Sequence, residues 1–345
     1  MRQWANLDVL RSVAVLLVAG SHLLLYNGYA GRLGWSGLTG VCFFFVHTSL
    51  VLMWSLERDP HVGRFYIRRA FRIYPLWLAV LALVLLVHIP IAPPAAPHFG
   101  FHMPHGMELV AEILLLFNLR YGANVVGASW SLPIEVQMYV LLPFLFFFIR
   151  SVRKLWPLLM LDGFAMVHAY FTPGPIPPNA GTALLVCVPY FVPGVMAYHL
   201  SKKAQPWIPS WLFLPFLGVL ITIAFWYGSI RGSWAVCLVV GLAVPYFRQI
   251  EWKPLVRCCH LIARYSYGIY LCHFIAIATG YYYLRQYGSA VHRMAFLVTV
   301  VVLPVLFYHL LEEPMIRLGA KLAKKIERGR APALNEEALN LEPAP

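Results

Sequence analysis

The sequence is poor in charge. Of 345 residues, 12% are Asp, Glu, Lys or Arg and 60% are hydrophobic, and the mean hydropathy is +0.69. A soluble domain carries about 25% charged residues because its surface must be wetted, so most of this surface faces something apolar. No stretch reads as a hydrophilic second domain, and a single membrane domain is expected. The six cysteines include no C-x-x-C pair: Cys42, Cys187, Cys237 and Cys272 lie in apolar runs, and Cys258 and Cys259 are adjacent. That spacing argues against a disulfide framework or a zinc site. The first apolar run continues into Tyr26-Asn27-Gly28-Tyr29 rather than an A-x-A site, which argues against a cleaved signal peptide. No repeat of fixed period is visible.

What the chain has in abundance is apolar runs. They fall at 10–26, 38–56, 76–89, 131–149, 155–170, 184–200, 211–226, 234–247, 266–284 and 294–311. Several are shorter than the ~20 residues of a straight span, and flanking Trp and Tyr would complete them at the headgroups. The expected fold is all-α: a polytopic integral membrane protein of about ten transmembrane helices around a central cavity. A further run, 109–117, is too short to cross and suits a re-entrant or surface helix. Residues 90–105 form a Pro- and His-rich outer loop, too dense in proline for a helix.

Charge placement supports the same topology. With both termini in the cytosol, 22 of the 27 basic residues fall in cytosolic segments, and the outer ones keep only Arg32, Arg120, Arg231, Arg285 and Arg293. The positive-inside rule is thus met at every loop pair beyond the first. Net charge is +13. In a soluble protein that would suggest nucleic acid; here the charges lie beside spans, so no nucleic acid is expected. Anionic lipid headgroups of the bilayer and an anionic cytosolic ligand are the expected partners.

Ionisable groups inside spans are expensive and are functional candidates by default. The first span holds Asp8, Arg11 and His22. At ~1.5 Å per residue, His22 lies about 16 Å beyond Arg11, in the outer half of the membrane. A neutral imidazole there can take a proton from a hydroxyl, or can simply hydrogen-bond a neighbouring helix. Glu135, in Ser131-Leu132-Pro133-Ile134-Glu135, sits in a first helical turn, where the helix dipole favours a carboxylate. It is also expected at a depth matched to His22, which would permit an acid–base pair. In the second loop Arg64, Arg68 and Arg72 recur every four residues, with Arg69 beside them. Guanidinium forks so spaced suit phosphate and pyrophosphate oxygens, or anionic lipid. His47, His168, His199 and His309 read as packed histidines, and His273 as one near a cavity. His98, His102 and His105 mimic metal spacing but stand in a Pro-rich loop, and no metal is expected.

Five motifs occur in order: Arg11-x10-His22, Phe65-Tyr66-x-x-Arg69-x-x-Arg72-Ile73-Tyr74-Pro75, Trp130-Ser131-Leu132-x-x-Glu135-x-x-x-Tyr139, Tyr267-Gly268-Ile269-Tyr270-x-x-His273 and Glu312-Glu313-Pro314. Together they resemble the acyltransferase-3 family of integral membrane acyltransferases, from Leu7 to about Arg317. The resemblance implies transfer of an acyl group, with acetyl expected, from cytosolic acyl-CoA (acetyl-CoA) to a hydroxyl of a sugar, surface glycan or related metabolite. It implies His22 as catalytic histidine, Arg11 as its partner and Glu135 as a supporting acid. It implies Arg69 and Arg72 as contacts to the CoA phosphates, and Arg68 and Tyr74 are grouped with them.

The second span departs from the family pattern, which commonly has an acidic residue and a closing Ser-Gly pair. Here it reads Gly40-Val41-Cys42-Phe43-Phe44-Phe45-Val46-His47-Thr48-Ser49-Leu50. Residues 1–316 are read as the transmembrane domain, and 317–345 as a cytosolic tail, basic and then acidic and disordered. The expected setting is the bacterial plasma membrane. The rival reading is a transporter or flippase of a glycan intermediate, which explains buried charges but not a phosphate-binding face beside a histidine.

Overall fold

The structure, a computed structural model, describes residues 4–29, 33–90, 101–119, 124–152, 154–171, 183–228 and 230–339. Among them there is no strand. The helices are α1 (Ala5–Tyr26), α2 (Leu33–Arg58), α3 (Val62–Val87), α4 (Met107–Ile113), α5 (Ser131–Val152), α6 (Trp156–Phe171), α7 (Ala183–Ser201), α8 (Phe213–Tyr227), α9 (Ile230–Ala243), α10 (Lys253–Ile277), α11 (Ser289–Phe307) and α12 (Glu313–Leu339). A π-helical segment, Ala278–Tyr283, prolongs α10, and another, Tyr308–Glu312, joins α11 to α12.

Among the described residues, seven stretches are long and apolar enough to cross a membrane: Ala5–Tyr26, Ser36–Arg58, Val62–Val87, Ser131–Val152, Ser210–Tyr227, Lys253–Tyr283 and Ser289–Ile326. The other three predicted runs are also helical but shorter. They are α6, of 16 residues, and the apolar stretches Val186–Ser201 and Gly232–Tyr246. Large apolar side chains on the outward faces stay exposed, including Phe144, Phe147 and Phe148 on α5 and Val298, Val301 and Val302 on α11. A water-soluble surface rarely carries patches of that size, and a bilayer covers them without cost.

The helical core is built around α2. Its neighbours include α1, α7, α9, α5 and α8, while α1 lies between α2 and α10. Of the apolar window in α2, 78% is buried, against 11% in the Ser289–Ile326 stretch. Gly194 makes the α2–α7 approach possible: a Cβ there would collide with Ser49 Oγ and the Val46 carbonyl. Without a hydrophobic force between helices in lipid, such close backbone contact is a main source of cohesion.

Two helices begin well before their apolar runs. The arginine-bearing segment from Val62 and the third run form one helix, α3, started by the His61 side chain, which accepts from Arg64 N at 3.2 Å. Pro75 lies inside it and interrupts the backbone ladder. Beside that break the Tyr267 hydroxyl donates to the Ile73 carbonyl at 2.9 Å, tying α3 to α10. Helix α10 likewise starts at Lys253 rather than near Ser266. The segment at 109–117 contains α4, too short to cross. It is seated on α3 by Trp77 Nε1, which donates to the Glu112 carbonyl at 2.9 Å. Burial pushes the Glu112 carboxyl up to about 8, although Val125 N donates to it.

The first turns after Arg317 do not stand away from the bundle. Helix α12 packs on α3, with Gly319 against Phe71 and Ala323 fully buried. Its backbone is helical to Leu339, into the acidic stretch.

Candidate active site

Three side chains on one face of α10 organise the site: Ser266, Tyr270 and His273. Their spacing of four and then three residues stacks them along the helix. Each meets a partner from another element. Arg11 Nε on α1 donates to Ser266 Oγ at 2.6 Å, and Ser266 passes its own hydrogen to the Ala263 carbonyl at 2.8 Å. The Tyr270 hydroxyl lies 2.7 Å from Ser131 Oγ at the start of α5. His273 Nε2 lies 3.0 Å from Nδ1 of His22 on α1.

The histidine pair has an internal logic. His273 is fully buried, and its Nδ1 faces the carbonyl oxygens of Tyr270 at 2.7 Å and Ile269 at 3.3 Å. A carbonyl only accepts, so in the neutral ring the hydrogen sits on Nδ1 and Nε2 is an acceptor. His22 must then donate from Nδ1. Its lone pair is left on Nε2, away from His273, as a proton acceptor. The two rings stack at 5.1 Å, and Phe274 packs 4.8 Å from His22.

Below this pair, toward the N-terminal end of α1, lie three adjoining cavities. The upper, of about 430 Å³, is walled by Arg11, Phe44, Thr48, Ser131, Glu135 and Tyr270 among others. The middle one, of about 460 Å³, shares Arg11, Thr48, Glu135 and Tyr267 with it and adds His47, Arg69, Arg72 and Tyr139. The lowest is an open mouth of about 1160 Å³ that meets the middle cavity at Arg11, His47 and Val51.

The middle cavity is electrically unbalanced. Arg72 forms an ion pair with Glu312 and lies 5.9 Å over the Tyr267 ring. Glu135 accepts a hydrogen bond from the Tyr139 hydroxyl. Arg69 is half-buried, and its Nε is enclosed with no hydrogen-bond partner among the described residues. Three guanidiniums thus face two carboxylates. A buried cation without an anion is costly, so the cavity is suited to an anionic guest.

Several sequence-predicted residues lie elsewhere. Glu135 and His22 do not pair: Glu135 walls the two inner cavities with Arg11, whereas His22 bonds His273. The mismatch arises because Ser131, at the start of α5, already lies at the depth of Tyr270. Glu135, one turn further on, falls about 6 Å below that. Arg68 Nη1 is held by Asp59 Oδ2 at 2.6 Å, and Arg64 Nη2 by Asp59 Oδ1 at 2.6 Å, in the α2–α3 connection. Burial nudges the Asp59 carboxyl up, but the Arg68 and Arg64 guanidiniums outweigh it and hold it below the usual range. The Tyr74 hydroxyl donates to the Leu114 carbonyl at 3.1 Å and takes no part in the cavity walls above. His47 does line them. Of the histidines at metal-like spacing, His98 lies outside the described residues, and His102 Nε2 meets Glu108 at 3.1 Å.

Ser131, Ser266, Tyr270 and Glu312 are site residues to which sequence reasoning gave no role. The signal for the α10 set was present, since polar residues at 266, 270 and 273 share one face of an apolar helix. Glu312 was marked by its motif, Glu312-Glu313-Pro314, but its partner was not, because a π-helical turn aims it at Arg72.

A family model described as an acyltransferase domain matches residues 4–309. The chain is 24% identical to acyltransferase MdmB of Streptomyces mycarofaciens, over 91% of this chain and 92% of that protein. It is 24% identical to nodulation protein 10 of Rhizobium leguminosarum bv. viciae, over 93% and 95% of the two chains. It is 22% identical to O-acetyltransferase OatA of Staphylococcus aureus, over 93% of this chain but 58% of that protein. No solved structure matches the chain. With the family model covering nearly its whole length, on a helical membrane architecture, the chain belongs to the acyltransferase-3 family and is an enzyme that transfers acyl groups.

Proposed function

We propose that this enzyme moves an acyl group, acetyl in the first instance, from cytosolic acyl-CoA to a hydroxyl of a carbohydrate or related metabolite, in a bacterial plasma membrane with both termini cytosolic. The observation that carries the donor is Arg69: half-buried, with an enclosed and unpartnered Nε, and facing one cavity with Arg11 and Arg72. Guanidinium forks match the oxygens of a diphosphate. The similarity to OatA, an O-acetyltransferase, supports an acetyl group and an oxygen acceptor.

In this mechanism the CoA diphosphate occupies the arginine cavity and the extended pantetheine arm rises past Tyr270 toward His22. The ~16 Å of helix between Arg11 and His22 is of the right order for that arm. His22 Nε2 takes the proton of the acceptor hydroxyl as its oxygen bonds to the thioester carbonyl carbon. The tetrahedral intermediate collapses, the C–S bond breaks, and the CoA sulfur leaves with the proton from His22. His273 accepts from His22 Nδ1–H throughout and so stabilises the transient imidazolium. Glu135 acts on the arginines rather than on the imidazole, limiting their surplus charge while the cavity is empty.

The test is transfer by purified protein in nanodiscs with labelled acetyl-CoA. Arg69→Ala and Arg72→Ala are expected to raise the KM for acetyl-CoA with membrane insertion intact, since a lost charge-assisted bond costs ~1.5–3 kcal/mol. Lysine at either position restores only part, because it keeps the charge and loses the fork. Wild-type acetyl-CoA affinity in both alanine variants would remove the donor assignment.

A further inference from the structure

The lowest cavity is not needed to hold phosphates, yet it is the largest of the three and adjoins the arginine cavity through Arg11, His47 and Val51. Its wall is aromatic. Trp4, just before α1, and Trp54, near the end of α2, pack with ring centroids 4.4 Å apart and planes 30° from parallel. Trp54 is fixed from behind, its Nε1 donating to Ser201 Oγ at 3.3 Å. The carboxylates near this mouth are occupied: Asp8 lies 2.9 Å from His260 Nδ1, and Glu57 2.7 Å from Lys202 Nζ. Arg58 adds a cation to the rim. An aromatic pair with an open outer face, its neighbouring acidic groups engaged and a guanidinium at its edge, has the features of a nucleobase site.

Register fits the same ligand. Trp4, capping α1, lies seven residues before Arg11, and Trp54 lies seven residues after His47 on α2, so the pair is about 10 Å from the arginine cavity. We propose, resting on the acyl-CoA reading above, that the Trp4–Trp54 wall binds the adenine of the donor by stacking, with Arg58 facing the ribose phosphate. The donor then lies along α1, with its base at Trp4, its diphosphate at Arg11 and its thioester near His22. The enzyme would thereby tell a full coenzyme A thioester from a pantetheine thioester.

Paired donors test this. Acetyl-CoA and acetyl-4′-phosphopantetheine carry the same thioester, and only the first has the adenine nucleotide. Wild-type enzyme is expected to favour acetyl-CoA in kcat/KM. Trp54→Leu and Trp4→Leu should each erode that preference about tenfold through the KM for acetyl-CoA (~1.4 kcal/mol at 25 °C), within the worth of one base–aromatic stack. Trp54→Phe, which keeps a ring, should retain most of it and also covers misfolding of the leucine variant. Equal loss with both donors, or no loss with either, would mean the tryptophans are membrane-interface anchors and overturns the proposal while leaving the donor reading intact. Failure of wild-type enzyme to use either donor overturns both.

Discussion

A neutral imidazole and a primary amide can each both donate and accept a hydrogen bond, but only the imidazole can take up a proton near neutral pH. One substitution should therefore give opposite results at the two stacked histidines. At position 273 a glutamine can donate from its amide nitrogen to the Tyr270 carbonyl and accept from His22 with its oxygen, reproducing the bonds seen at 2.7 and 3.0 Å. His273→Gln is expected to keep most of kcat, whereas His273→Leu, which leaves His22 free to switch tautomer, should lose it about tenfold or more with the donor KM unchanged. At position 22 neither change is tolerated. His22→Gln should fall with His22→Ala, by ~10²–10⁴-fold, because an amide can bond but cannot act as the base. Steady-state kinetics in nanodiscs, at matched protein amount, reads all four variants. An active His22→Gln enzyme would leave the site without a base, and equal activity of the two His273 variants would reduce that residue to packing. The candidate residues themselves were visible in the sequence, because charge inside an apolar run stands out. Their partners were not: which ring His22 touches depends on α10 rather than α5 lying beside α1.

Among the elements, apolar periodicity located each described helix that carries a predicted run, but not where α3 and α10 begin. Their amphipathic first halves lack the continuous apolar signal that marks a span, yet nothing in them stops a helix. The depth of α5 was equally hidden. It shows only in the contact of Ser131 with Tyr270, which no sequence pattern marks. Close helix contacts, by contrast, leave a mark in the small residues they require. Gly194→Ala places a methyl against Ser49 and the Val46 carbonyl of α2, an overpacked contact that costs ~1–3 kcal/mol. Since α2 also brings Phe44, His47 and Thr48 to the cavities, both the thermal unfolding midpoint and the donor KM should change. An unchanged midpoint in nanodiscs would show that α7 can shift away without loss and that this contact does not hold the core together.

For the molecule as a whole, the number of crossings decides which side the tail is on. Among the described residues, seven stretches are long and apolar enough by themselves. An odd number would put the N-terminal end of α1 and the tail on opposite faces of the bilayer. That arrangement would strand Arg317, Lys321, Lys324 and Lys325, beside the last apolar stretch, on the outer face, against the positive-inside rule. If α6, α7 and α9 also cross, the total is ten, and the tail returns to the side of Arg64, Arg68 and the donor mouth. Short helices can span where the bilayer thins or flanking aromatics complete the hydrophobic length; Trp156, Tyr170 and Phe171 stand exposed near the ends of α6. Single-cysteine labelling separates the two counts. The native background is small, because Cys258 is the one exposed thiol of the six, and Cys258→Ser removes it. Labels at Gly100 and Pro173 should then react from outside on intact cells, and labels at Arg153, Lys203 and Pro332 only after permeabilisation. Position 332 is the decisive one. Labelling there on intact cells would mean an odd number of spans and a tail across the membrane from the donor site, and the ten-helix topology would have to be abandoned.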